Sequence, residues 1–312
     1  MIDSAHQPVM VDEVLALLPA DAKLIGDMTV GGGGHAEALL QHAGREVELI
    51  AFDRDVDFLN LARERLRRLP NKISYFPDSY ANVGDQLGDN YRGRFDFLLL
   101  DLGLSSWQLQ NSGRGFSFTQ SDEPLDLRFD ATSGQTLSEK LSETDETGLA
   151  TILREFGEIR GARRLAAEIK AAQAEGNLNN VGDLAGLAER HVRTDRRNKY
   201  LAQVWQALRI WVNEELKHLD LGLTALVAYL KPAGVMTVIS FHSLEDRMVK
   251  KFFARQENPC ICPPRLPQCV CGRKPTMKRI GKKAQAPSDA EVRRNPRARS
   301  ARLRAARRLF DS

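Results

Sequence analysis

Apolar positions along the chain follow two regimes. Towards both ends they form short, mostly apolar runs: Leu24-Ile25 leading to Val30, Leu49-Ile50-Ala51-Phe52, Ile73-Ser74-Tyr75-Phe76, Phe95 to Leu100, and Val235 to Phe241. Such runs, bounded by turn residues, suit parallel strands covered on both faces. Between Thr136 and about Lys231 the spacing becomes helical. Leu149, Ile152, Leu153 and Phe156, then Leu165, Ala166 and Ile169, predict helix from Thr144 to Glu175. Shorter helix is expected from Asp183 to Val192, and a long one from Tyr200 through Val204, Trp205, Leu208, Ile210, Trp211 and Leu216, continuing with interruption towards Leu230. A strand crossover needs only about a dozen residues, so this stretch is a helical subdomain inserted between two sheet strands. The segment from His6 to Leu18 begins with His-Gln-Pro-Val-Met and is expected to continue as an amphipathic helix through Val11, Val14, Leu15 and Leu18. Met277 to Ile280 reads as a short strand, and Arg302 to Arg308 as the final one.

Candidate chemistry gathers where the predicted strands end. Asp27-Met28-Thr29-Val30 runs into Gly31-Gly32-Gly33-Gly34-His35, after which Ala36, Leu39, Leu40 and Ala43 recur at helical spacing. Four glycines remove every Cβ from the turn, so backbone and the free N–H groups of the following helix can face a ligand. Asp53 closes the second strand about 20 residues on, where an acid commonly binds ribose hydroxyls. Asp55 suits the N-cap of the helix running towards Arg68. Turn and acid together indicate a cofactor that contains adenosine. Tyr80, after the third strand, either stacks on adenine or packs at a strand end. Asp101 ends the most apolar strand and is followed by Ser105, Ser106 and Gln108, which places it facing a cleft. Ser243 reads as a helix N-cap with Asp246 completing a capping box, and His242 before it as structural rather than catalytic. The mixed stretch from Arg114 to Arg128 reads as an ordered loop near the site.

Composition narrows the class. With 42% hydrophobic and 28% charged residues over 312 positions, the chain has a soluble protein's balance. No apolar run is long enough to span a bilayer and no secretory pattern opens the chain, so membrane association is not expected and a cytoplasmic location is. The net charge of +4 is small, but Arg293, Arg294, Arg297, Arg299, Arg302, Arg304, Arg307 and Arg308 crowd the C-terminal segment and suit a phosphate backbone. Arg193, Arg196, Arg197 and Lys199 form a second basic cluster, either a solvated face or a phosphate contact. All four cysteines, Cys260, Cys262, Cys269 and Cys271, lie in one loop with Pro259, Pro263, Pro264 and Pro267. Clustered Cys-x-Cys pairs suit either a zinc staple or free thiols, and no metal is assigned.

These residues carry a family resemblance. Asp27-x-Thr29-x-Gly31-x-Gly33-Gly34-His35, Ala51-Phe52-Asp53-Arg54-Asp55 and Leu100-Asp101-Leu102-Gly103-Leu104-Ser105-Ser106-x-Gln108-Leu109 are similar to motifs of the RsmH (MraW) methyltransferases. So are Arg114-Gly115-Phe116-Ser117-Phe118, Pro124-Leu125-Asp126-Leu127-Arg128, Gln206-Ala207-Leu208-Arg209-Ile210, Ser240-Phe241-His242-Ser243-Leu244-Glu245-Asp246-Arg247 and Asn295-Pro296-Arg297-Ala298-Arg299-Ser300. The resemblance implies an α/β fold: a class I S-adenosylmethionine-dependent methyltransferase, with a Rossmann-like doubly wound sheet and an inserted helical subdomain. Its boundaries are expected at 1–110 and 216–312 for the methyltransferase domain, with the cysteine loop at 258–272, and 111–215 for the insertion. It also implies methylation of the N4 amino group of a cytidine in the decoding region of bacterial 16S rRNA, within the small ribosomal subunit, by direct transfer to a flipped-out base. Gly33, Gly34, His35, Asp53, Tyr80, Asp101 and Gln108 match cofactor-binding positions, and Asp101 is also the expected catalytic residue. Tyr80 stands where relatives often have Phe. Tyr200-Leu201-Ala202-Gln203-Val204-Trp205 departs from the Ala-Thr-Arg-Thr-Phe of many members. A homodimer stays open, and a non-catalytic ribosome-assembly factor with a cofactor pocket is the alternative.

Overall fold

The computed structural model describes residues 8–263 and 268–310. His6 and Gln7, ahead of the expected first helix, and Pro264 and Pro267 lie outside the described residues. The chain forms two compact units, Met1–Gly103 with Lys217–Ser312, and Leu104–Leu216.

The first unit is built on a seven-stranded sheet. Its strands are β1 (Leu24–Asp27), β2 (Glu48–Phe52), β3 (Ile73–Phe76), β4 (Phe95–Asp101), β5 (Leu230–Ser240), β6 (Met277–Gln285) and β7 (Arg302–Arg308). They lie in the order β3-β2-β1-β4-β5-β7-β6, with β7 antiparallel to both of its neighbours and every other pairing parallel. This is the doubly wound class I methyltransferase sheet. Apolar runs make it because adjacent residues serve opposite layers. Ile25, Leu49, Phe97 and Leu99 enter one buried layer, while Leu24, Ile50, Leu98 and Leu100 enter the other. The helices Gly34–Ala43 and Val56–Leu66 cover the first layer through Leu39, Leu40, Leu59, Ala62 and Leu66. Leu219, Leu223, Leu226, Phe252 and Phe253 cover the second. Asp96, buried at the start of β4, accepts from the backbone N–H of Lys23 (2.8 Å) and Leu24 (2.9 Å) and pairs with Lys231. One acid thereby fixes where three strands begin.

Several elements differ from expectation, each for a local reason. The first helix is only Val11–Leu15, because Leu17 and Leu18 donate to Val14 and Leu15 and tighten the chain before Pro19. The expected Thr144–Glu175 helix is two, Glu146–Gly157 and Ala162–Ala174, broken where Glu158 turns left-handed at φ 53°. The interruption expected in the long helix falls at Glu214, which adopts positive φ, 49°, so the helix runs from Arg197 to Asn213. Helix Glu215–Leu226 then begins anew.

The second unit packs the helices Glu146–Gly157, Ala162–Ala174 and Arg197–Asn213 with Leu137–Glu143 and Val181–Glu189 around one core. The Arg114–Arg128 stretch belongs to that core. Phe116, Leu125 and Leu127 are buried in it, Trp205 donates its indole N–H to the Gly115 carbonyl at 2.9 Å, and Asn213 bridges Leu127 and Phe129. Arg114 Nη1 donates to the carbonyls of Arg128 (3.2 Å) and Phe129 (2.7 Å).

Candidate active site

The glycine turn joins β1 to the helix Gly34–Ala43, and its glycines are there for different reasons. Gly33 has φ +81°, and a Cβ on it would stand 3.2 Å from Ala62 Cα. A Cβ on Gly34 would meet Pro8 at 3.2 Å. These two are required by the protein itself. Gly32 is not: a Cβ there would meet nothing closer than 4.0 Å. Its surroundings leave room against the backbone, as a bound ligand would need. The helix that follows has Gly33 as N-cap and no side-chain cap, so its first-turn N–H groups remain available to an anionic group.

Acids ring this turn. Asp53 Oδ2 accepts from the Gly31 N–H at 2.8 Å and Oδ1 from the Asp55 N–H at 2.9 Å, tying the predicted ribose acid directly to the glycine turn. Burial pushes its carboxyl up to about 6, against the opposing pull of those two N–H groups. Asp27, 1% exposed, is pushed up to about 7, first by burial, with His35 and the Thr29 N–H opposing and Asp101 adding to the rise. The hydroxyl of Thr29 accepts the Asp101 N–H at 2.6 Å and so joins the ends of β1 and β4. His35, buried in the first turn of its helix, places Nε2 3.4 Å from Asp101 Oδ2. Among the described residues, Asp27 Oδ2, Asp101 Oδ1 and both ring nitrogens of His35 have no hydrogen-bond partner. Buried acceptors left unpaired are costly, and a ligand carrying positive charge and N–H or O–H donors would satisfy them.

Sequence reading thus finds Gly33, Gly34, His35, Asp53 and Asp101 around one turn. It passes over Asp27 and Thr29, although both belong to the quoted motif; an acid ending one strand and a hydroxyl two residues on were the available signal. Tyr80 lies in a short 3-10 turn after β3, nine-tenths buried, and a Cβ added to Gly222 would meet its ring at 2.3 Å. Packing accounts for at least one edge of that ring. Gln108 belongs to the second unit, where it closes a capping box with Ser105, each donating its backbone N–H to the other's side-chain oxygen.

The helix Ser243–Glu257 is capped by His242 with Glu245, not by Ser243 with Asp246. His242 Nδ1 accepts from the Glu245 N–H at 3.4 Å, and Glu245 Oε2 accepts from the Phe241 N–H at 2.8 Å. Asp246 is instead taken by Arg304, two hydrogen bonds at 2.7 and 2.9 Å. The arginine run is therefore not uniform. Arg308 donates to the carbonyls of Val227, Ala228 and Leu230, while Arg293, Arg294, Arg297, Arg299 and Arg307 are exposed.

Residues 3–309 match the family model described as the MraW methylase family. The chain belongs to the MraW methylase family. It is 43% identical over 308 residues to ribosomal RNA small subunit methyltransferase H of Syntrophotalea carbinolica, covering 97% of this chain and 98% of that one. The protein of the same name from Carboxydothermus hydrogenoformans is 41% identical over 311 residues, with 99% of each chain covered. The donor of a methylase built on this sheet is S-adenosyl-L-methionine. The residues of this MraW methylase fit it. Unpaired acceptors at Asp27 and Asp101 suit its cationic end, Asp53 its ribose hydroxyls, and Gly32 leaves space against the backbone.

Proposed function

We propose that this protein methylates the N4 amino group of a cytidine in the decoding region of 16S rRNA in the small ribosomal subunit. The observation that carries the reading is Asp101. It ends the central strand beside the glycine turn, its backbone is held by Thr29, and one of its oxygens is unpaired among the described residues. The names borne by the relatives, small-subunit RNA methyltransferases, support the substrate class.

The bound donor supplies an electrophilic methyl group on a sulfonium. Cytosine N4 is a poor nucleophile, because its lone pair is delocalised into the ring. The protein must therefore orient the amine and accept hydrogen bonds from its N–H groups as positive charge develops. Asp101 and the carbonyls of Leu102 and Gly103 are the acceptors proposed here. With the donor bound, Asp101 would take the proton that N4 sheds on methylation. A base paired in its stack cannot present N4 in this way, so the target nucleotide flips out. Gly33, Gly34 and His35 shape the donor's side of the pocket, Asp53 holds ribose, and Tyr80 offers a stacking face to adenine.

The test is transfer of labelled methyl to small subunits from cells lacking the protein, followed by nucleoside mass analysis. N4-methylcytidine at one position supports the proposal. Methyl on another atom or base overturns the N4 assignment. Tight donor binding with no transfer to either free rRNA or assembled subunits would favour the assembly-factor reading.

A further inference from the structure

The four cysteines converge on one point of the surface. Cys269 Sγ lies 3.6 Å from Cys260 Sγ, 3.9 Å from Cys262 Sγ and 3.5 Å from Cys271 Sγ, and all four sulfurs lie within 4.8 Å of one another. Disulfides would single out pairs, whereas Cys269 stands at nearly the same separation from three partners. Zinc–thiolate bonds of about 2.3 Å put the sulfurs of a tetrahedral site about 3.8 Å apart, close to the observed spacing. An iron–sulfur cluster would hold its cysteines farther apart, because its own sulfides lie between them.

The surroundings fit a metal staple. Among the described residues from 258 to 276 none is buried, and the middle residues of the two Cys-x-Cys pairs, Ile261 and Val270, are 65% and 75% exposed. The described residues of the loop form no apolar core to hold it. Its stem is closed by protein: the Thr276 N–H donates to the Gln256 carbonyl at 3.0 Å, and Arg279 pairs with Glu257. At the tip, the Val270 N–H points to Cys262 Sγ at 3.4 Å, the outer-shell bond a metal-bound thiolate accepts. Arg273 and Lys274 follow at once in sequence, next to what would be a dianionic tetrathiolate.

We propose that Cys260, Cys262, Cys269 and Cys271 bind one zinc ion, a structural site that folds the loop between the helix Ser243–Glu257 and β6. The zinc does no methyl-transfer chemistry; it replaces the missing core by ligand bonds.

The test is elemental analysis of the full-length protein purified under reducing conditions, with a mercurial titration that releases bound metal to a colorimetric indicator. About one zinc per chain is expected, freed as the thiols are modified. Cobalt in its place should give the intense sulfur-to-metal charge-transfer absorption of four thiolates. Cys260→Ser with Cys269→Ser should lose the metal; if that variant fails to fold, the mercurial and cobalt measurements on the unaltered protein read the same property. A metal-free chain whose four thiols all react at once with a disulfide reagent overturns the site. So does a mass, before reduction, showing two disulfides, and so does stoichiometric iron.

Discussion

The Thr29 hydroxyl accepts the Asp101 backbone N–H at 2.6 Å, joining the end of β1 to the end of β4 beside the glycine turn, where the methylation site is proposed. Losing this bond would strand a peptide N–H in a largely enclosed place, at a cost of about 1–3 kcal/mol. Thr29→Val should therefore lower stability in urea unfolding by about that amount and reduce turnover through a displaced Asp101. Thr29→Ser keeps the oxygen and should restore both. A Thr29→Val protein as stable and active as the original would show that the link positions nothing.

Asp101→Asn keeps the shape and removes the charge. If Asp101 accepts from the substrate amine, kcat should fall about 10²–10³-fold, while calorimetric affinity for S-adenosylmethionine changes by less than about tenfold. Near-normal turnover would remove Asp101 from the chemistry.

Gly32 and Gly33 should separate ligand space from fold. Gly33→Ala meets Ala62 at 3.2 Å with a φ of +81°, so it should destabilise by about 1–3 kcal/mol. Gly32→Ala meets no protein atom closer than 4.0 Å, so stability should hold within about 0.5 kcal/mol while donor affinity drops at least about tenfold. Unchanged affinity in Gly32→Ala would mean that the donor does not lie against this backbone.

The acids at the turn give stability a pH slope of known sign. Asp27 is raised from 3.8 to about 7 and Asp53 from 3.8 to about 6, chiefly by burial. Between about pH 4 and about pH 7 the folded chain keeps protons that the unfolded chain has released. Stability from these groups is therefore highest in acid, falls as pH rises through that window, and levels off above it. Asp27→Asn should flatten the slope and raise the thermal midpoint of the ligand-free protein above pH 7. The same change should weaken donor binding, because it removes a negative charge facing a cation. A midpoint lowered by Asp27→Asn at pH 8 would contradict this assignment.

Arginines of the C-terminal segment should divide by their partners. Arg304→Ala breaks a two-bond pair with Asp246 and should destabilise by about 1–3 kcal/mol. Arg297→Ala with Arg299→Ala removes exposed charge and should leave stability within about 0.5 kcal/mol. If these two touch phosphate, the salt dependence of binding to 16S rRNA should become shallower by about one unit per lost contact. An unchanged salt slope would place the RNA elsewhere.

Sequence by itself determined the sheet, the inserted helices and the glycine turn with its acid. Short apolar runs, helical spacing and Gly31 to Gly34 are local signals, legible because each follows from a few neighbouring residues. It also grouped Asp53 and Asp101, since both end strands whose carboxyl ends must open on one side of a parallel sheet. What it left undecided depended on partners distant in the chain. Thr29 gains its role from a peptide 72 positions away. Arg304 and Arg308 look like their exposed neighbours until Asp246 and the carbonyls after helix Glu215–Leu226 are seen to hold them. The choice of His242 over Ser243 as cap, and the meeting of four thiols, depend in the same way on backbone geometry. Such pairings belong to the folded chain, because hydrogen bonds and charges act across space and not along sequence.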